Sequence, residues 1–254
     1  MIGAGVSVLT DPLFWLVAIP AVLITGMSKS GFAGGAGGLT VPLLALAISP
    51  ATAAAVMLPL LVYMDFLSVR SWWGKQNTAQ LWILLPAAIV GIVVAYLLFD
   101  QLNEQYLRGI LGVISLGFGI YGLTLGEWSQ RKPSALMGRM CGTIAGFTSF
   151  VAHAGGPPLN AYLIPLRLAK TEYLGTAVVF FAVINLVKLI PYSMLGQINL
   201  SNLLISASLA PIAWIGVKLG LRIQDKFDEK QFKKIILSLM IIVGLRLLWT
   251  AFNP

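Results

Sequence analysis

Hydrophobic residues along this chain fall into long, nearly uninterrupted runs instead of alternating or amphipathic patterns. Eight of ten such runs approach the length of about 20 residues that a helix needs to cross a bilayer. These eight lie at residues 12–27, 51–69, 79–99, 106–126, 134–152, 172–190, 201–221 and 233–250. The pattern predicts an all-α protein that crosses a membrane several times.

The other two runs, at residues 39–48 and 157–167, are too short to cross. Ten helical residues rise about 15 Å, which is half of the hydrocarbon core. Each short run follows a break: the first follows the glycines between positions 31 and 38, and the second follows Gly155-Gly156-Pro157-Pro158. The short runs therefore predict broken or re-entrant helices.

The two halves of the chain also resemble each other. A shift of 125 residues superimposes three conspicuous pairs: Pro86 on Pro211, Gly91 on Gly216 and Gly119 on Gly244. A shift of 118 residues superimposes the two glycine pairs before the short runs. We predict a first transmembrane repeat in residues 1–126, a linker in 127–133 and a second repeat in 134–254.

Basic residues indicate how the repeats are oriented. The loop at 70–78 contains Arg70 and Lys75, whereas its counterpart at 191–200 has no basic residue, and the other matching loops differ in the same way. Because cytoplasmic loops carry the excess of Lys and Arg, we predict inverted repeats with a cytoplasmic linker and both termini periplasmic. Each half then needs an odd number of crossings. Five segments satisfy this if the first two are short helices that meet at the glycine break and return to one side.

Composition agrees with a membrane protein and excludes several other classes. Hydrophobic residues make up 58% of the 254 residues and charged residues 10%, against about 45–50% and 25% in soluble domains. The single Cys141 and single His153 exclude a disulfide framework and a multi-histidine metal centre. The net charge of +8 comes from basic residues scattered singly through loops. We therefore expect a lipid bilayer as partner, no nucleic acid and no cofactor.

The two breaks are the predicted functional site. Interrupted helices in inverted repeats bind the substrates of many secondary transporters near the membrane midplane. A helix start exposes free N–H groups and a partial positive charge, which suits an anion. The expected donors are the amides of Gly37, Gly38, Gly155 and Gly156 and the hydroxyls of Ser28, Ser30, Thr40, Thr148 and Ser149. The alternative is that these glycines only allow close helix packing.

Ionisable side chains near the breaks could bind the anion directly. Lys29 could balance the negative charge of the anion, or could instead extend its side chain to the membrane surface. His153 titrates near neutral pH, so it could couple proton movement to transport, bind the anion, or simply pack as a neutral residue. Asn160, Asn185 and Lys188 are further candidates. Asp65 and Lys188 occupy loosely corresponding places and could pair across the repeats.

The motifs around the breaks resemble those of a known family. The segment from Gly26 to Leu44, with Lys29 between two serines and two Gly-Gly pairs, is similar to the first-half signature of the TauE/SafE sulfite exporters, also called toluene-sulfonate uptake permeases. The second half resembles one subgroup through His153–Pro158, Tyr162–Pro165, Asn185 and Lys188–Tyr192. The resemblance implies an inner-membrane carrier of small sulfur-containing or organic anions, such as sulfite or sulfonates.

These observations predict a secondary transporter, not an enzyme, that moves a small anion by alternating access. Whether it forms a homodimer stays open. An anion channel would use the same site without alternation. An intramembrane hydrolase would use Ser149 and His153, which lie four residues apart and would share a helix face.

Overall fold

The computed structural model describes residues 8–31, 37–99, 103–124, 133–223 and 229–253, and these residues form helices and turns without a strand. The first half contains α1 (Pro12–Gly31), α2 (Thr40–Leu44), α3 (Pro50–Trp72), α4 (Thr78–Phe99) and α5 (Glu104–Thr124). The second half contains α6 (Ala135–Ala152), α7 (Gly156–Leu163), α8 (Lys170–Met194), α9 (Leu200–Ile223) and α10 (Glu229–Phe252). Short 3-10 turns at Gly37–Leu39 and Ile164–Leu166 precede α2 and follow α7.

The prediction of an all-α polytopic membrane protein is confirmed. Within the described ranges, eight helices are long and apolar enough to cross a membrane. They are all the helices except α2 and α7, the two that follow the predicted breaks. The linker at 127–133 lies almost wholly outside the described residues, so the repeat boundaries stay predictions.

One part of the segment prediction is wrong. We expected two short helices at each break, but the first member of each pair, α1 or α6, has 20 or 18 residues and only the second is short. Helix α1 continues past its apolar run through Lys29 because the charge of that lysine is paired inside the protein. The predicted break glycines Gly34 and Gly35 lie outside the described residues.

The second break has a defined backbone geometry. His153 adopts a left-handed conformation, with φ 51° and ψ 27°. Its N–H donates to Ser149 O and the N–H of Ala154 donates to Thr148 O, both at 3.1 Å. These bonds satisfy carbonyl groups of the last turn of α6, so the helix ends here and the chain turns into α7.

Helices from the two halves pack against each other in matched pairs. Helix α1 packs along α9, and α6 packs along α4. The central helices α3 and α8 pack on each other, as do α5 and α10. A two-fold relation between the halves would produce this set of pairs.

Glycines allow the close approach of α1 and α9. A Cβ atom at Gly26 would lie 2.9 Å from Val217 N, and one at Gly216 would lie 2.6 Å from Leu23 O. Because lipid gives helices little hydrophobic reason to associate, such small-residue contacts hold membrane helices together. Close packing therefore explains these helical glycines, which lie away from the breaks.

Candidate functional site

Ionisable and polar side chains gather between the central helices α3 and α8 and the ends of α1 and α6. We call this group the buried polar cluster, and its members are Lys29, Asp65, Ser149, His153, Asn185 and Lys188. Each of them is at most 6% exposed. Their burial, in helices that are otherwise apolar, sets them apart as the candidate site.

Lys29 and Asp65 form the first half of the cluster. Lys29 Nζ, at the end of α1, lies 2.6 Å from Asp65 Oδ1 on α3. The other carboxylate oxygen of Asp65 accepts a hydrogen bond of 2.6 Å from Asn185 Nδ2 on α8. Lys29 Nζ also lies 5.4 Å from the ring centroid of Phe181. Lys29 therefore points into the protein and does not extend to the membrane surface.

Lys188 and His153 form the second half. Lys188 Nζ donates to Ser149 O at 2.9 Å and to Ser149 Oγ at 3.0 Å, and it lies 2.8 Å from His153 Nδ1. His153 Nε2 lies 2.9 Å from Ala54 O on α3. Direct pairing of Asp65 with Lys188, which the sequence suggested, is wrong because each has a different partner.

The cluster has an excess of positive charge. Two lysines face the single carboxylate of Asp65, and the Lys29–Asp65 ion pair neutralises only one of them. When both lysines and Asp65 are ionised and the imidazole of His153 is neutral, one positive charge is left without a counter-ion inside the cluster. An arrangement of this kind attracts a small anion.

The two breaks meet next to the cluster. A Cβ atom at Gly38, before α2, would lie 3.1 Å from the Cβ of Ala154, before α7. A Cβ atom at Gly155 would lie 3.1 Å from Ser149 Cβ and 3.2 Å from the ring of Phe181. Gly155 thus adjoins residues that contact both lysines. The Pro157 and Pro158 that follow have no amide hydrogen, so the donors at the start of α7 are the amides of Gly155 and Gly156.

Two predicted hydroxyl donors on the first half face other helices. Thr40 shares a hydrogen bond with the hydroxyl of Thr25. Ser30 Oγ donates to Gly26 O at 2.9 Å and to Val217 O at 3.0 Å, which joins α1 to α9. Both side chains serve helix packing and lie outside the cluster.

Two other candidates also lie outside the cluster. Thr148 Oγ donates to Ala154 O at 3.1 Å and so braces the second break. Asn160 Oδ1 accepts from the hydroxyl of Tyr173 at 2.9 Å and is half-buried. Ser28 is buried one residue before Lys29. Of the candidate side chains, the structure thus brings together Lys29, Ser149, His153, Asn185 and Lys188.

Sequence reasoning did not identify two features of the site. It considered Asp65 as a partner of Lys188 but did not place it among the binding residues, although it is the one acidic residue within its apolar run. It also named Tyr192 only as the end of a family motif and gave it no role, although its ring stacks 6.2 Å from that of His153 and its hydroxyl donates to Phe150 O at 2.7 Å. Aromatic residues are common in such helices, so their positions carried no specific information.

Comparison with known families supports the same assignment as the motifs. The family model described as "Sulfite exporter TauE/SafE" matches residues 18–247. The match covers most of the chain and includes the whole buried polar cluster. No curated protein and no solved structure matches the chain significantly.

Proposed function

Since this chain belongs to the sulfite exporter TauE/SafE family, we propose that it is a secondary transporter of a small sulfur-containing anion, such as sulfite or an organosulfonate. The transporter works by alternating access across the cytoplasmic membrane. The observation that carries the proposal is the buried, positively charged cluster beside the two contacting breaks.

The anion occupies the space between the two lysines. Lys29 and Lys188 supply charge, His153 supplies a ring N–H, and the amides of Gly155 and Gly156 supply backbone donors. A charged side chain at the bilayer centre costs about 2.5–3.5 kcal/mol on insertion scales. A lysine 4 Å from an anion recovers about 4 kcal/mol at an effective dielectric of 20. Binding of an anion thus offsets the cost of the unpaired positive charge.

Asp65 acts as the counter-ion of Lys29 when no substrate is bound. Its carboxylate holds Lys29 Nζ at 2.6 Å, the position that a substrate oxygen would take. An incoming anion competes with this carboxylate for the lysine. The competition keeps Lys29 from being left unpaired in the membrane at any stage of the cycle, which would be costly.

Burial favours a carrier over a channel. Every side chain of the cluster is at most 6% exposed, so an anion reaches it only after helices separate on one side. A channel would need a continuous open path. The matched packing of α1 on α9 and of α6 on α4 supports two equivalent ways of opening, one toward each side.

Contacts between loops support the proposed topology. Asn77, after α3, donates from its side chain to Glu172 at 2.6 Å and from its backbone to Thr176 at 2.8 Å. Arg108, at the start of α5, donates to Ala45 O at 2.9 Å. The distribution of Lys and Arg predicts that the two segments of each contact lie on the same side of the membrane. The segments joined by Asn77 are predicted to be cytoplasmic, and those joined by Arg108 periplasmic. We propose periplasmic termini on this basis, an arrangement in which α1 and α2 together enter and leave the membrane on the same side.

The geometry gives less support to a hydrolase. The ring nitrogen His153 Nδ1 lies 3.0 Å from the backbone oxygen of Ser149, and its other nitrogen faces Ala54 O. A general base would instead contact the hydroxyl that it activates.

Counterflow in proteoliposomes tests the proposal. The purified protein is reconstituted with unlabelled anion inside, and entry of the same labelled anion is measured for sulfite, thiosulfate, sulfate, methanesulfonate and acetate. We expect transient accumulation of a labelled sulfur anion, which only a carrier produces. Lys218→Gln serves as the matched control because Lys218 is an exposed lysine on α9 above the ring of Trp214, away from the cluster. Absence of counterflow for every anion would overturn the proposal, and flux without counterflow would favour a channel.

A further inference from the structure

The short contact between Lys188 and His153 constrains the number of protons that they hold. Lys188 Nζ lies 2.8 Å from His153 Nδ1. An ammonium group has only donors, and an imidazolium ion has a donor at each ring nitrogen. Two donors cannot face each other at this distance, so one of the two nitrogens provides a lone pair. The pair therefore holds at least one proton fewer than two fully charged side chains would.

The remaining contacts fit a proton on either nitrogen. His153 Nδ1 also lies 3.0 Å from Ser149 O, an acceptor that favours a hydrogen on Nδ1. His153 Nε2 faces Ala54 O and so carries a hydrogen in either case. Lys188 Nζ donates to Ser149 O and Ser149 Oγ, which uses two hydrogens. The third position of Nζ either donates a proton to Nδ1 or accepts one from it. The Lys188–His153 pair thus carries at most a single positive charge and can accept one more proton.

No group of the cluster is placed to neutralise the positive charge that a second proton would add to the pair. The titratable and charged groups that face the pair are Lys29 on α1, Asp65 on α3 and Tyr192 on α8. Asp65 is held by Lys29 and by Asn185. Tyr192 directs its hydroxyl to Phe150 O. A second positive charge therefore requires a negative charge from outside the cluster.

We propose that the Lys188–His153 pair takes up one proton with each anion that binds, so that anion and proton cross the membrane together. This inference rests on the transport function proposed above. The anion enters between Nζ and Nδ1 and breaks their contact. The freed lone pair, on Nδ1 or on Nζ, takes a proton from water on the open side, and both side chains then donate to the anion. When the anion leaves, the pair returns that proton to water on the other side, and the contact between Nδ1 and Nζ re-forms.

The charge of the cluster is the same with and without a monovalent substrate. The empty cluster has one excess positive charge. Binding adds one negative charge with the anion and one positive charge with the proton. The helices therefore rearrange around the same net charge in both states, which avoids a change of charge inside the membrane. Net transport of a monovalent anion becomes electrically neutral, and a pH gradient drives it while the membrane potential does not.

An accumulation experiment measures this coupling. Proteoliposomes are held at zero membrane potential with potassium and valinomycin, and the outside is made one pH unit more acidic than the inside. Methanesulfonate is the first probe because its strong-acid group stays ionised, so a proton that moves with it is carried by the protein. Coupling of one proton to one anion predicts that methanesulfonate accumulates about tenfold. Sulfite is the second probe and is compared between variants, with protein-free liposomes as a blank, because it carries a proton of its own.

His153→Asn is the matched variant. Asparagine tolerates the left-handed backbone at this position, where φ is 51°, and its amide can accept from Lys188 Nζ but does not titrate. We expect slower exchange in this variant and an accumulation ratio near one for methanesulfonate. The ratio is an equilibrium quantity, so a slower rate alone does not change it. Lys218→Gln should keep the tenfold ratio.

The outcomes separate the two proposals. Counterflow of methanesulfonate or sulfite without any effect of the pH gradient in the wild-type protein would overturn proton coupling and leave the transporter intact. Tenfold accumulation in both the wild-type protein and His153→Asn would overturn the assignment to this pair. The wild-type measurement decides whether transport is coupled to protons, even if His153→Asn does not fold. Failure of counterflow for the whole anion panel would overturn the transport function itself.

Discussion

Asp65 of α3 and Asn185 of α8 are joined by a hydrogen bond of 2.6 Å from Asn185 Nδ2 to Asp65 Oδ2. Each lies fifteen residues after the first residue of its helix, Pro50 or Lys170. An acid and its amide thus meet at the same distance from the starts of their helices. Two carboxylates at this distance would repel, and one would be protonated. The amide leaves a single fixed carboxylate, which pairs with Lys29.

The first prediction concerns the carboxylate. Asp65→Asn should release Lys29 and raise the net charge of the cluster by one. Because removal of one partner from a buried ion pair costs about 3–5 kcal/mol, the thermal unfolding temperature should fall in the absence of anions. Sulfite should restore much of it, since the free lysine then binds the anion, with an affinity at least about tenfold higher. The surface variant Glu104→Gln, which breaks the exposed ion pair with Arg108, should alter neither quantity. Equal stabilisation of Asp65→Asn and wild type by sulfite would contradict this role of Asp65.

The second prediction separates the charge of Lys29 from its effect on folding. Lys29→Gln leaves Asp65 buried without its cation, so both stability and anion affinity should fall. In the double variant Lys29→Gln/Asp65→Asn, the net charge of the cluster returns to that of the wild type. Its unfolding temperature should therefore recover, while affinity for sulfite stays at least about tenfold weaker, equivalent to about 1.4 kcal/mol. Wild-type affinity in the double variant would exclude Lys29 as a ligand.

The third prediction concerns the second break. Gly155→Ala would place a methyl group 2.8 Å from Ala145 O and 3.2 Å from the ring of Phe181. The break must shift to admit it, so counterflow should slow by at least about tenfold even if the protein stays folded, because a misplacement of about 1 Å can cost 100-fold. Gly117→Ala is the control because a Cβ there has open space around it, and alanine is the better helix former. Similar rates for both variants would show that the break needs no glycine at this position.

The fourth prediction separates transport from hydrolysis. Ser149→Ala removes one of the hydrogen bonds that Lys188 Nζ donates, which is worth about 1.5–3 kcal/mol for a charged donor. Because Lys188 Nζ keeps its bond to Ser149 O, counterflow at saturating anion should persist, and affinity for sulfite should change by less than about 100-fold. A hydrolase with Ser149 as nucleophile would instead lose all activity. Complete loss of counterflow in a folded Ser149→Ala protein would reopen the enzyme alternative.

The fifth prediction concerns topology. Cysteines introduced as Lys75→Cys and Asn253→Cys should label differently with a membrane-impermeant maleimide. In spheroplasts, Asn253→Cys should react and Lys75→Cys should react only after lysis. The native Cys141 is buried, and a Cys141→Ala background removes any residual signal from it. Labelling of Lys75→Cys in intact spheroplasts would overturn the inverted arrangement.

The sequence by itself determined the helical architecture and the family. Inside a bilayer every backbone polar group must be bonded within the protein, so a long apolar run has little choice but a helix. The runs at 39–48 and 157–167 are too short to cross, and glycines and prolines lie beside them. On these grounds the sequence alone predicted the short helices α2 and α7. The motifs around Gly26–Leu44 and His153–Pro158 were local and could be read directly from the printed sequence.

Only the tertiary structure decided which polar groups meet. Lys29 and Asp65 are far apart along the chain, and local periodicity does not say that α1 and α3 bring them within 2.6 Å. The same is true of the contact between Lys188 and His153. The apolar face of a membrane helix packs almost equally well on lipid and on another helix, so pattern alone does not fix its neighbours. Close packing at small residues and the need to pair each buried charge select one arrangement, and both depend on all the helices at once.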